Sequence, residues 1–506
     1  MTFSFLPELL ISMFVLLVVV VGSYYIKSSK NPLPAVDWPV AGILPSLVYN
    51  LHRLHDYIAF DLLAPSGHSL KFAIVNIRFF MTCEPANIQH IFTSNHANYP
   101  KGEEFAEIFD VMRGSIFTVD GESCRRQRAN YQGVLSSPRL VGLMTRCCRD
   151  KVEKGLLPFI THMARTNSPV DMADLMTRLV FDLYASIIFG VDPARLSLDM
   201  PPVHVANAMD TVMEVGLTRH IVPAFCWKVM RRLNIGPERK LAAAQAVLRC
   251  FTTDMIMERR KNGHTIVAQE EPVDVLSSYI NDPDYNGDLL HPTLITYMIA
   301  GRDTIGTTLP WIFYNLAKNP HVVSSIRDEL APIMSRKAAI ANASAAMMIL
   351  EPEEVKALVY LQATLLESLR LYPPVPIERK SVVAADVMPT GHEVCALDIV
   401  LISLYSVGRM EAVWGADCQE YRPERWLSQD GRKLRFVPSH KFMAFNSGPR
   451  LCLGKDIAII QIKTIVAAVV WNFDVKMLDD RAIDTKLSCL LQMKDGLKLK
   501  LNKREM

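Results

Sequence analysis

The chain has 506 residues, 50% of them hydrophobic and 21% charged, with a formal net charge of +3. That composition excludes a disordered chain, which needs low hydrophobicity or high net charge. It gives no global pull toward nucleic acid or acidic partners, and a single long apolar run is too few for a polytopic membrane protein.

That run comes first, at residues 9–26, reading LLISMFVLLVVVVGSYYI. Its eighteen residues would rise about 27 Å as a helix, close to the hydrocarbon thickness of a bilayer. No basic stretch precedes it and no small-residue cleavage site follows, so it reads as an anchor and not a cleaved signal. Lys27 and Lys30 lie just after it, which puts the body on the cytosolic side. Residues 1–26 are therefore predicted to be an N-terminal membrane anchor. Residues 27–50, with Pro32, Pro34, Pro39 and Pro45, are predicted to be a stiff hinge. Length alone suggests about three domains, but no linker divides residues 51–506, which read as one body.

Within that body the patterns at 72–81 and 399–406 predict strands. Helices are predicted at 138–165, 172–189, 238–261, 289–317, 353–371 and 457–471, with an Ala-rich loose excursion or poor helix at 335–350. Helices with few strands give a mainly α fold. The ten cysteines form no C-x-x-C pair and no zinc spacing, so any chemical role falls to one of them singly.

The window 445–454, FNSGPRLCLG, isolates Cys452. It is not a phosphate loop, because Asp456 follows Lys455 where a hydroxyl residue is needed. Glycines let backbone fold closely under a flat cofactor. N–H groups at a helix start stabilise a thiolate, and Arg450 suits a carboxylate on the cofactor.

With Phe445, Gly448, Arg450, Cys452 and Gly454 so spaced, the chain resembles the cytochrome P-450 family of haem-thiolate monooxygenases. Glu367-Ser368-Leu369-Arg370 matches the family's E-x-x-R, and Pro423-Glu424-Arg425-Trp426 resembles its P-E-R-F segment. The resemblance implies the cytochrome P-450 fold, a helical bundle with small β-sheets. It implies haem b with Cys452 as the axial metal ligand, and Glu367, Arg370 and Arg425 as an internal structural cluster. It also implies O₂, electrons from NADPH through NADPH–cytochrome P-450 reductase, and the endoplasmic reticulum membrane as location.

Ala300-Gly301-Arg302-Asp303-Thr304 resembles the family's A/G-G-x-D/E-T. The small residues at 300–301 would leave room for O₂, while Thr304 and Asp303 would deliver protons. Two departures stand out. Ile305 replaces a common hydroxy residue, and Pro310 leaves the Gly306 carbonyl without its helical partner, predicting a kink and a reshaped pocket. The resemblance implies Arg450, Arg379 and Arg128 as candidate cations for haem propionates. Arg128 lacks the tryptophan that the family often places four residues earlier, where Cys124 stands. Arg125 and Arg126 suit a basic face for an acidic reductase.

The phrases AGRDT, VGRMEAVWG, YRPERW and KFMAFNSGPRLCLGK place the likeness in the plant clan of alkane and fatty-acid hydroxylases. Ile305 and Pro310 depart from the hydroxylase form and point to a phenol-coupling branch. That branch implies intramolecular carbon–carbon coupling of 4′-O-methylnorbelladine in Amaryllidaceae alkaloid biosynthesis. The alternatives are mid-chain or terminal hydroxylation of long alkanes or fatty acids, an oxygen-independent isomerase of the same fold, and a non-catalytic haem-binding membrane protein. The last two would not need Asp303 and Thr304. Substrate walls are expected at Ile299, Ala300, Ile305, Val375 and Ile377, with residues 106–117, 212–225 and 490–491.

Overall fold

The computed structural model describes residues 42–74, 77–263, 274–285, 287–341, 349–479 and 482–504. The predicted anchor and most of the hinge lie outside these residues. Among the described residues no helix is long and apolar enough to cross a membrane.

Local signals set the helix ends. Asp171 accepts the Ala173 and Asp174 N–H groups and starts Met172–Phe189, which stops at Gly190 in the left-handed region. Pro138 opens Pro138–Lys151. The predicted helix 138–165 continues through a wide π-type turn, Val152–Leu156, into Leu157–Arg165. Pro158 cannot donate to the carbonyl a turn earlier, and the wide turn lies where that bond would be. The predicted 353–371 helix is broken into Pro352–Lys356 and Val359–Leu371. The Glu329 carboxylate, on a neighbouring helix, accepts the Tyr360 and Leu361 N–H groups at 2.7 and 2.9 Å. It caps a helix start that the local sequence does not announce.

The central helix runs as Leu290–Met298, a π-type segment Ile299–Asp303, and Thr304–Lys318. The irregularity therefore sits before Gly306, while the chain stays helical through Pro310. Lys455–Asn472 is apolar nearly all round and almost wholly buried, as a helix at the centre of a large core should be. The larger apolar cluster surrounds these two helices, with Leu309, Phe313, Ile465 and Val466 out of contact with solvent. A smaller cluster lies along the sheet.

The predicted 72–81 strand is a hairpin, Ser69–Ile74 with Ile77–Thr82. Ile77–Thr82 pairs in parallel with Ile399–Ser403, which pairs antiparallel with the edge strand Ile377–Ser381. Chain continuity explains the mixed sheet, since some 300 residues separate the two parallel strands. Beyond Ser403 the predicted strand turns into a short helix, Leu404–Val407, capped by the Ser403 hydroxyl. Small sheets of three and two strands complete a mainly helical architecture.

Glu367 and Arg370 are fully buried and Arg425 nearly so. Arg370 grips Glu367 with two hydrogen bonds of 2.7 Å. Arg425 Nε, Trp426 Nε1 and the Arg422 backbone N–H add bonds of 2.9, 2.9 and 2.8 Å. Removing one partner from a buried ion cluster leaves the others uncompensated. Glu367→Gln should therefore lower unfolding stability by about 3–5 kcal/mol, read as a fall in the urea midpoint. Lys356→Ala, which breaks only an exposed pair with Glu353, should barely move it.

Candidate functional site

The loop before Lys455–Asn472 is built around Cys452. Its N–H donates to the Phe445 carbonyl at 2.8 Å, closing the loop on itself. Gly448 has φ +58°, and a Cβ there would lie 2.1 Å from the Phe92 carbonyl oxygen, so only glycine fits. Cys452 is accessible, but from a cavity of about 490 Å³ that it borders. The protein packed around it pushes its thiol pKa up, against the opposing pull of the Gly454 N–H and Arg128.

Phe445, Arg450 and Gly454 border the same cavity, as do Arg128 and Arg379. Arg450 is held by Asp120 at 2.5 Å and by the Val119 carbonyl at 2.6 Å. Arg128 donates to the Leu451 carbonyl at 2.8 Å, beside the cysteine. Arg379 lies on the edge strand two residues from Ile377, so the two share a face. Its Nη2 meets Glu104 at 2.5 Å, while its Nε is buried without a partner. One sulfur, three guanidiniums and an unpartnered buried donor around a mostly apolar space fit haem b, an apolar disc with two carboxylates.

All five predicted wall residues, Ile299, Ala300, Ile305, Val375 and Ile377, border this cavity. Thr304 borders it too, its hydroxyl donating to the Ala300 carbonyl at 2.7 Å. Three sequence expectations need correction. Gly301 borders the cavity, but the room its missing side chain leaves is filled by the Tyr184 ring, 1.8 Å from where a Cβ would lie. Asp303 does not border the cavity with Thr304. It is buried behind the helix, bonded to Arg302 at 2.7 Å, and Arg302 in turn reaches Asp210 at 2.6 Å. Burial pushes the Asp303 carboxyl up to about 6 against the pull of Arg302, and its Oδ2 has no partner. Pro310 faces a second, polar cleft of about 510 Å³, lined also by Arg302 and Thr307, and does not shape the cysteine cavity directly.

Sequence reasoning missed Lys101. It is buried at the cavity, donating to the Phe117 carbonyl at 3.0 Å and lying 4.0 Å from that ring's centre. Burial lowers its pKa to about 7, opposed by Glu378. A lysine after Tyr99-Pro100 in a loop carries no periodic signal that could have marked it.

The sequence model of the Cytochrome P450 family matches residues 32–501. Noroxomaritidine synthase 2 of Narcissus pseudonarcissus is 34% identical over 502 residues, covering 98% of this chain and 96% of that protein. Alkane hydroxylase MAH1 of Arabidopsis thaliana is 34% identical over 495 residues, 95% of this chain and 96% of that protein. Cytochrome P450 86B1 of Arabidopsis thaliana is 35% identical over 510 residues, 98% of this chain and 90% of that protein. With a thiol-bordered, cation-rimmed cavity and likeness over nearly its whole length, the chain belongs to the cytochrome P450 family of cysteine-ligated haem enzymes and is a haem-thiolate monooxygenase.

Proposed function

We propose that this enzyme joins two phenol rings of one substrate, of the 4′-O-methylnorbelladine type, by carbon–carbon coupling. One observation carries the reading: a single cavity borders Cys452, Thr304 and an aromatic wall of Phe105, Phe109 and Phe117. The relatives named noroxomaritidine synthase support it. Hydroxylation of long alkanes or fatty acids is the second reading, favoured by the mainly aliphatic remainder of the wall and by the relative named alkane hydroxylase.

Haem b, held by the Cys452 thiolate, supplies oxygen chemistry with electrons from NADPH–cytochrome P-450 reductase. Arg128, Arg379 and Arg450 would hold its two carboxylates, and Phe445, Gly448 and Gly454 shape the loop that carries Cys452. Ile299, Ala300, Ile305, Val375 and Ile377 exclude water and seat the substrate. Thr304 presents its hydroxyl to the cavity, and Asp303, a buried acid raised to about 6, is the proton reservoir on the far side of the helix. Residues 9–26 anchor the body, 51–506, on the cytosolic face of the endoplasmic reticulum, with 27–50 as the hinge. The exposed Arg125 and Arg126 belong to the face that meets the reductase.

Turnover with the reductase, offering a phenolic precursor and a long alkane side by side, separates the two readings by product mass. Loss of two hydrogens means coupling, and gain of one oxygen means hydroxylation. Cys452→Ala should abolish the carbon monoxide difference spectrum of thiolate-bound haem; persistence of that spectrum would remove Cys452 from the ligand role. Thr304→Val should keep the spectrum and NADPH consumption yet lose about a hundredfold in product formation. The Asp303 carboxyl is raised to about 6, so it is protonated below that pH and ionised above it. An infrared band of protonated carboxyl should therefore appear as pH falls through about 6, and be missing in Asp303→Asn.

A further inference from the structure

His220 lies near the end of the helix His204–Ile221 and borders the cavity. Its Nδ1 is 2.7 Å from the Gly216 carbonyl oxygen. A carbonyl only accepts, so Nδ1 carries the ring proton and Nε2 keeps a lone pair. No described residue donates to that lone pair. Burial and the nearby Arg379 charge lower the His220 pKa to about 3, so the ring is a neutral acceptor at physiological pH.

The surroundings are aromatic. The His220 ring centre lies 6.2 Å from that of Phe105, edge-on, and 5.7 Å from that of Phe109. Phe117 sits 5.3 Å from each of these two phenylalanines. Gly216 makes this possible, because a Cβ there would come within 3.0 Å of the Phe109 ring. Such a cluster favours an aromatic guest through offset and edge-to-face contacts.

A neutral acceptor beside aromatic rings discriminates by chemistry. An alkane or an aryl ether has no proton to donate and would leave Nε2 unpaired in apolar surroundings. We propose that His220 is the specificity-determining residue of the substrate pocket: its Nε2 accepts a hydrogen bond from a phenolic hydroxyl whose ring lies among Phe105, Phe109 and Phe117. The assignment rests on the cavity being the substrate pocket.

The test titrates the haem-loaded protein with 4-propylphenol and with 4-propylanisole, its methyl ether, following the Soret difference spectrum. Wild type should bind the phenol about tenfold more tightly, the worth of one desolvated hydrogen bond. His220→Phe should lose that ratio and His220→Gln, which retains an acceptor, should keep most of it, both with an intact carbon monoxide spectrum. Equal affinities in wild type would overturn the assignment without any variant, as would a phenol preference that survives in His220→Phe. If neither probe perturbs the Soret band of wild type, the pocket reading itself fails and the assignment falls with it.

Discussion

Glu367 is a carboxylate with no access to water, and the geometry of the site depends on what surrounds it. Five donors converge on its two oxygens, from Arg370, Arg425, Trp426 and the Arg422 backbone. A buried charge is tolerable only when so paired. The pairing fixes more than one helix. Arg370 also donates to the Gly408, Cys418 and Glu420 carbonyls, which pins the irregular chain after the sheet against Val359–Leu371. From there order passes through rings. Trp426 meets Phe442 edge-on at 4.7 Å, Phe442 meets Phe445 at 6.5 Å, and the Phe445 carbonyl receives the Cys452 N–H. A loop with no regular structure is thus positioned from a buried ion cluster outward.

The central helix is tied to the same frame from its other side. Gly301 admits the Tyr184 ring, and the Tyr184 hydroxyl donates to Gln461 at 3.0 Å on the helix that follows Cys452. Thr304 is therefore held relative to the cysteine loop through packed helices and not through the cavity. The wide turn Ile299–Asp303 lies where this contact is made, consistent with π-type turns marking functional positions. It places the alcohol on the cavity and the acid behind it, so a proton held at Asp303 sits in a dry site beside a polar cleft.

What could be read from sequence were features whose partners are close in the chain. Cys452 with its glycines, and Glu367 with Arg370 three residues on, are local spacings, and helix periodicity located most long helices. What could not be read depends on distant partners. Asp303 is drawn behind the helix because Arg302 finds Asp210, 92 positions away. The break before Val359 depends on Glu329, some 30 residues earlier. A wide turn has no compositional mark that separates it from the α-helix around it. Lys101 and His220 gain meaning only from the rings that surround them.

The near-neutral charge acquires a physical sense in this arrangement. Many cations are consumed internally: Arg370 and Arg425 by Glu367, Arg219 by Glu238 at 2.6 Å, Arg302 by two aspartates. Those at the cavity, Arg128, Arg450, Arg379 and Lys101, are each fixed by a carbonyl or a carboxylate. Fixed cations suit the carboxylates of a permanent cofactor better than a passing substrate, since they need no reorganisation to meet them. With Asp303 behind the helix and these cations already held, what remains of the cavity wall is mostly apolar. Shape and the neutral acceptor His220 then do the choosing, and an acceptor without a donor favours a guest that brings its own proton.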